Sequence, residues 1–263
     1  MKSIYKIFFI IILSIGVFSI MPIENANLSI NIIGSTSIQP VCEQLVEEYK
    51  KCNDMDINVQ GGGSSLGIKC TENNIAEIGM SSKEVKSSNI KTYQLGKEGI
   101  AIVVNKNNPI DDLSIYQIQK IFAGEITNWN EISNYSGKIN VIIREEGSGT
   151  LDTFKNVIMQ NNQIKEDAIV QNSPGAIKQS IKQDLNGISF VSFTHLDNTL
   201  KDVSIDGVKI SKETISNNSY KFQRPFLLLT SKTPNNQTKD FINWALSNNS
   251  SEILEEEKII RGD

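Results

Sequence analysis

The chain has 263 residues, 26 lysines and arginines against 30 aspartates and glutamates, a formal charge of −4 and 39% hydrophobic residues. That is a globular composition, and a mildly acidic chain without a basic run has no general attraction for nucleic acid. Cys42, Cys52 and Cys70 have no CxxC spacing and there is 1 histidine, which argues against a thiolate metal site and allows at most one disulfide; no cofactor or metal is expected.

In chain order, residues 1–26 read as an export segment: Lys2 and Lys6 precede an apolar run from Ile7 to Phe18, with small or polar residues by Asn25-Ala26-Asn27. Removing this segment, with its two lysines and one glutamate, changes the charge from −4 to −5. The run is short against the roughly 20 residues of a spanning helix. Glu24 stands where a cleavage site prefers a small residue, so a signal peptide and an uncleaved N-terminal membrane anchor both stay open. Either places the protein at a cell surface or in a periplasm-like space, and the missing cysteine at the end of the run speaks against a lipoprotein.

Leu28 to Ile33 alternates like a strand and runs into Gly34-Ser35-Thr36-Ser37, after which Ile38, Val41, Leu45, Val46 and Tyr49 mark one helix face, with Cys42 on it. Ile57 to Gln60 runs into Gly61-Gly62-Gly63-Ser64-Ser65 and a short helical segment from Leu66. A third strand around Met80 ends at Ser81-Ser82. Gly99 to Val104 is a continuous apolar run, the mark of a buried strand, and Asn105 to Asp112 breaks the pattern, where a first hinge is expected. A second α/β unit follows: a helix from Ser114 to Phe122, a strand from Lys138 to Arg144, a helix to about Asn161, strands at Ala168 to Val170 and Gly187 to Phe193, and a helix after Pro174-Gly175. Asp206-Gly207 between alternating apolar residues signals a hairpin. Phe222 to Thr230 reads as the return crossing, expected to pair with Gly99 to Val104, and the helix from Pro234 completes the first unit. The expected domains are 27–104 with 222–263, and 105–221.

Arg144-Glu145-Glu146-Gly147-Ser148-Gly149-Thr150 brings a fixed cation, hydroxyls and glycines to the point where a strand becomes a helix. Helix starts expose backbone N–H groups with no internal partner, and the helix dipole favours negative charge there. The turns at Gly34 and Gly61 repeat the chemistry. In open α/β folds ligands collect at the carboxyl ends of strands, so these loops are expected to converge on one oxyanion.

Gly34-Ser35-Thr36-Ser37, Gly61 to Gly67, Ile78 to Ser82, Phe122-Ala123-Gly124-Glu125-Ile126-Thr127-Asn128-Trp129 and Arg144 to Thr150 resemble, in order and spacing, the phosphate-binding subunit of phosphate ABC importers. The resemblance runs from about Ser29 to the terminal helix. It implies a two-domain α/β fold of the periplasmic-binding-protein type II class, two hinge crossings, and a ligand cleft between the domains. It implies phosphate as ligand, a membrane permease and an ATPase as partners, a monomer, and no catalysis. By matching positions it implies phosphate contacts from Thr36, Ser37, Ser64 and Ser82 on one side and from Arg144, Ser148, Gly149 and Thr150 on the other. Many family members carry an aspartate where this chain has Ser82; here Glu146, with Glu145 second, is the candidate proton acceptor, and Glu146 matches an acid that holds the arginine in place.

Two other readings compete. Sulfate, molybdate or tungstate would suit the same fold. A serine hydrolase is the other, because Gly63-Ser64-Ser65-Leu66-Gly67 fits a G-x-S-x-G elbow with Ser65 as nucleophile, and Asp184 and then His195 follow in the order of a Ser, Asp, His triad. Against it, no HGGG-type motif is present and Arg144 to Thr150 is left without a role. Ile68 stands where a phosphate-binding loop requires lysine, so the chain has no nucleotide-binding motif of that kind.

Overall fold

A computed structural model describes residues 29–261, so the expected export segment lies outside the described residues. The strands are β1 (Ile30–Gly34), β2 (Ile57–Gly61), β3 (Ile78–Ser81), β4 (Ile90–Asn105), β5 (Asp112–Leu113), β6 (Asn140–Arg144), β7 (Ile169–Gln171), β8 (Gly187–Ser192), β9 (Leu200–Ile205) and β10 (Gln223–Ser231). The helices are α1 (Gln39–Lys50), α2 (Ser64–Glu72), α3 (Ile115–Ala123), α4 (Gly149–Thr153), α5 (Pro174–Gln183), α6 (Lys212–Ser216), α7 (Asn236–Leu246) and α8 (Ser251–Glu256). Among the described residues no helix is long and apolar enough to cross a membrane.

The strands follow the order β2-β1-β3-β10-β4-β8-β6-β7, with β9 on β4 and β5 on β9. One core gathers Ile30, Ile32, Val41, Leu45, Met80, Leu95, Phe226, Leu228 and Phe241. The other gathers Ile100 to Val104, Phe122, Trp129, Phe154, Ile177, Phe190 and Val203. In the second, Phe154 stacks on Phe190 with ring centroids 4.0 Å apart. Trp129 is fully buried and donates from Nε1 to the Asn186 carbonyl at 3.3 Å, so it serves packing. Both cores use the α/β arrangement in which helices cover a sheet, here a mixed one: β1, β2 and β3 and β6, β7 and β8 pair parallel, while β10, β4, β8 and β9 pair antiparallel at the crossing.

The crossing between the cores differs from expectation. β10 pairs antiparallel with Ile90 to Gly99 of β4, from Ser231↔Ile90 to Gln223↔Gly99, and the apolar run Ile100–Val104 pairs with β8 and β9 instead. The reason is burial: Ile100 to Val104 lie in the second core, with β8 and β9 flanking Ile102 to Val104 on both sides, whereas Leu95 packs in the first. The change of core along β4 therefore falls between Leu95 and Ile100, earlier than the expected boundary after Val104. The lysine-rich stretch after Ser82 hides the first half of β4, because Lys91, Thr92 and Gln94 are exposed while Ile90 and Leu95 are buried. The C-terminal segment joins at the same place, with Lys97 and Ile260 exchanging backbone hydrogen bonds of 2.7 and 2.9 Å.

The helix expected to run to Asn161 is shorter and wider: α4 ends at Thr153 and Phe154–Met159 continues as a π-helical turn. Asp206 (φ 50) and Gly207 (φ 77) form the expected tight turn, although the returning chain keeps only the bridge Ile205↔Val208 and does not build a full hairpin.

Candidate functional site

Strands β1, β2, β3 and β6 all end at the cleft, and each end hands over to the residues expected there. Parallel pairing fixes their levels: Gly34 lies opposite both Gly61 and Met80. Gly34 has φ +147, and a Cβ there would overlap the Met80 carbonyl oxygen, so only glycine lets β1 turn against β3. Gly149 is the second required glycine. A Cβ on it would overlap Ser64 Oγ and Ser82 Oγ, which means the first turn of α4 presses its backbone directly onto hydroxyls of the opposite domain.

Arg144 ends β6 with its side chain 2% exposed. Its Nε donates to Glu145 Oε2 at 2.8 Å, and Nη2 donates to Glu145 Oε1 at 2.8 Å and to Thr36 Oγ1 at 3.0 Å. Ser37 Oγ lies 3.1 Å from Thr150 Oγ1. Ser64 Oγ accepts from the Ser82 N–H at 3.0 Å and lies 3.2 Å from Ser82 Oγ, which also accepts from Ser35 Oγ at 3.2 Å. Thr36, Ser37, Ser64, Ser82, Arg144, Gly149 and Thr150 thus form one cluster. The N–H groups of Gly149 and Thr150 open α4 and have no partner inside the helix. Ser148 caps α4, its Oγ accepting from the Leu151 N–H at 3.4 Å, so its hydroxyl serves the turn.

Glu146 is corrected. It is exposed and accepts from Lys155 Nζ at 2.6 Å, whereas Glu145 folds back on the guanidinium with both oxygens. The chain leaves β6 after Arg144, where the Glu145 N–H still donates to the Gln171 carbonyl at 3.1 Å, and the positive φ of Gly147 turns Glu146 outward. Neither carboxylate bonds a hydroxyl of the cluster.

Arg224 belongs to the cluster and was absent from the expected set. It lies on β10 directly opposite Glu98 of β4, at the crossing, and the side chains are 1% and 0% exposed. Its Nε donates to Glu98 Oε1 at 2.6 Å, and Nη1 donates to Ser82 Oγ at 3.0 Å and to Thr150 Oγ1 at 2.6 Å. Glu98 Oε2 accepts from Ser192 Oγ and from the Thr194 N–H at 3.3 Å. Burial pushes the Arg224 guanidinium down, and the Glu98 carboxylate beside it opposes that shift. A usable signal was present: an arginine just before the apolar run Phe226-Leu227-Leu228-Leu229 needs a buried counter-charge.

Other bonds span the cleft without the cluster. Lys83 Nζ pairs with Asp152 and donates to Ser65 Oγ at 3.0 Å, and the Ser65 N–H donates to the Gly147 carbonyl at 3.2 Å. The hydrolase constellation is not assembled. Ser65 meets Lys83, Asp184 accepts from Asn140 Nδ2 at 2.8 Å, and His195 Nδ1 meets Thr194 Oγ1 at 3.0 Å. Burial first, then the nearby Arg224 charge, push the His195 imidazole from 6.5 down to about 4. Cys42, Cys52 and Cys70 are unpaired, and among the described residues no group of three or more His, Cys, Asp or Glu is placed to hold a metal.

Comparison with known proteins agrees with this architecture. The family description "PBP superfamily domain" matches residues 22–249. The phosphate-binding protein PstS of Bacillus subtilis is 31% identical over 205 residues, covering 75% of this chain and 68% of that protein. A crystal structure of a putative phosphate ABC transporter substrate-binding protein with bound phosphate, from Clostridium perfringens, superposes with a TM-score of 0.86 at 35% identity over 89% of this chain and 100% of that one. An ABC-type phosphate transport receptor from Vibrio cholerae gives 0.75 at 30% identity over 89% and 100%.

Proposed function

The chain belongs to the substrate-binding-protein family of phosphate ABC importers, and we propose that it binds inorganic phosphate outside the cytoplasm and delivers it to a membrane permease driven by an ATPase. The observation that carries this is the buried Arg144 guanidinium, set at the end of β6 where the chain turns into α4, and bonded to Thr36 across the cleft. Thr36, Ser37, Ser64 and Ser82 would donate from one side, and Arg144, Ser148, Gly149 and Thr150 from the other, Ser148 through its place in the turn. Guanidinium contacts with phosphate are strong and oriented. The protein works as a monomer, takes no nucleic acid, and spends no energy of its own. Residues 1–26 act as its export signal or membrane anchor.

Hydrogen bonds to charged groups contribute about 1.5 to 3 kcal/mol net. Calorimetry should therefore show Arg144→Ala weakening phosphate binding at least about tenfold, and an unchanged dissociation constant sinks the assignment. A second reading, another tetrahedral oxyanion, is favoured by one observation: Glu145 and Glu146 are both engaged elsewhere. Titration with sulfate, molybdate and tungstate beside phosphate separates the two.

A further inference from the structure

We propose that Arg224, held by Glu98, turns the hydroxyl protons of Ser82 and Thr150 toward the bound anion, and that through them this positioning residue makes the site read the anion's charge, favouring dianionic tetrahedral oxyanions and discriminating only weakly against sulfate. The inference rests on the anion-binding reading above and adds the form of the anion.

The argument is a count of protons and lone pairs. A hydroxyl has one proton to give and two lone pairs to accept with. Ser82 Oγ accepts from Arg224 Nη1 at 3.0 Å and from Ser35 Oγ at 3.2 Å, so its acceptor capacity is used. Its proton is left for the cleft or for Ser64 Oγ at 3.2 Å. Thr150 Oγ1 accepts from Arg224 Nη1 at 2.6 Å, and Thr36 Oγ1 accepts from Arg144 Nη2 at 3.0 Å. Each hydroxyl that touches a guanidinium is thereby biased toward donating, and a donor facing an unprotonated oxyanion oxygen is charge-assisted.

Each carboxylate around the site is turned onto a cation, and none bonds a hydroxyl of Thr36, Ser37, Ser64, Ser82 or Thr150. Glu98 gives Oε1 to Arg224 and Oε2 to Ser192 and Thr194; Glu145 gives both oxygens to Arg144; Asp152 pairs with Lys83. What remains to accept a ligand proton is a neutral hydroxyl such as Ser37, whose one partner is Thr150 Oγ1 at 3.1 Å. Dibasic phosphate brings one proton and can be served. Monobasic phosphate brings a second, and sulfate brings none and meets no opposing carboxylate. Sites built on a fixed acceptor reject a partner lacking the proton by factors on the order of 10⁴; a hydroxyl rotates to suit and cannot. The charged groups facing the site are Glu98, Arg224, Arg144, Glu145, Lys83 and Asp152. His195, next to Thr194, stays neutral above about pH 5 and contributes no charge there.

The test is calorimetry of phosphate and sulfate from about pH 5 to about pH 8, on wild type, Arg224→Gln and the double variant Glu98→Gln/Arg224→Gln. The double variant leaves no uncompensated buried charge, so it remains informative should the single one fail to fold. Wild-type affinity for phosphate should fall about tenfold per pH unit below the ligand's second ionisation. Sulfate should bind independently of pH within about a hundredfold of dibasic phosphate. In the variants phosphate at the upper pH should weaken at least about tenfold and the pH slope should flatten, as Ser82 and Thr150 recover acceptor capacity. A merely structural role would weaken both anions alike and leave the slope unchanged. A flat wild-type profile, sulfate rejected by about 10⁴-fold, or an unaltered slope in the variants overturns this inference alone. Absence of phosphate binding by wild type at every pH overturns the functional reading with it.

Discussion

The cleft holds two arginines, and they are neutralised in opposite ways. Arg144 takes its carboxylate from the next residue, and Glu145 is 28% exposed. Arg224 takes Glu98 from 126 residues away, and neither side chain of that pair is more than 1% exposed. A local pair at the edge of the site leaves its guanidinium ready for an anion that arrives from solvent. A buried pair across two strands fixes the crossing itself, and touches the ligand's neighbours through hydroxyls.

The sharpest way to break this contrast is to remove each carboxylate. Breaking a buried pair from one side leaves an uncompensated charge and costs about 3 to 5 kcal/mol, so Glu98→Ala should lose that much in urea unfolding. Glu145→Ala should lose less, about 1 to 3 kcal/mol, and saturating phosphate should recover most of it by supplying the missing negative charge. Equal losses, or recovery of Glu98→Ala by phosphate to the same degree, would erase the distinction.

How far each centre was legible follows the same division. The turn from Arg144 to Thr150 is local, and a strand end followed by glycine, hydroxyl and a helical pattern carries its own geometry. So do the turns at Gly34 and Gly61. The Arg224 and Glu98 pair depends on the register of β10 against β4, and the first half of β4 is masked by exposed lysine, threonine and glutamine. Glu146 was placed ahead of Glu145 because it matches a family acid that holds the arginine in place, whereas here Glu145 holds Arg144 and Gly147 turns the chain just after it.

The stability of the folded chain should respond to pH as well, separately from the anion affinity. His195 has its folded pKa lowered from 6.5 to about 4. Between those values the unfolded chain holds a proton that the folded one does not, so the contribution is complete above about pH 6.5 and is lost as pH falls toward about 4. With the imidazole partly buried, the loss is at most about 3 kcal/mol. Unfolding free energies measured across that range should have a shallower slope in His195→Gln, and an identical slope removes His195 from the account.

The smallest effect belongs to the cross-cleft pair of Lys83 and Asp152, each side chain 25% exposed. Partly exposed pairs contribute about 0 to 1 kcal/mol. Lys83→Ala should leave the melting temperature nearly unchanged and weaken phosphate binding by less than about fivefold. A larger loss of affinity would make this pair, and not the two arginines, the main contact holding the cleft closed.

The central claim is that one anion is held from both domains at the start of α4, and a crystal structure of the phosphate-loaded protein tests it most directly. The account predicts a single phosphate within hydrogen-bonding distance of Arg144, of the Gly149 and Thr150 N–H groups, and of hydroxyls from Thr36, Ser37, Ser64 and Ser82, with Glu145 still paired to Arg144. A phosphate bound to one domain only, or seated away from Arg144, would contradict it.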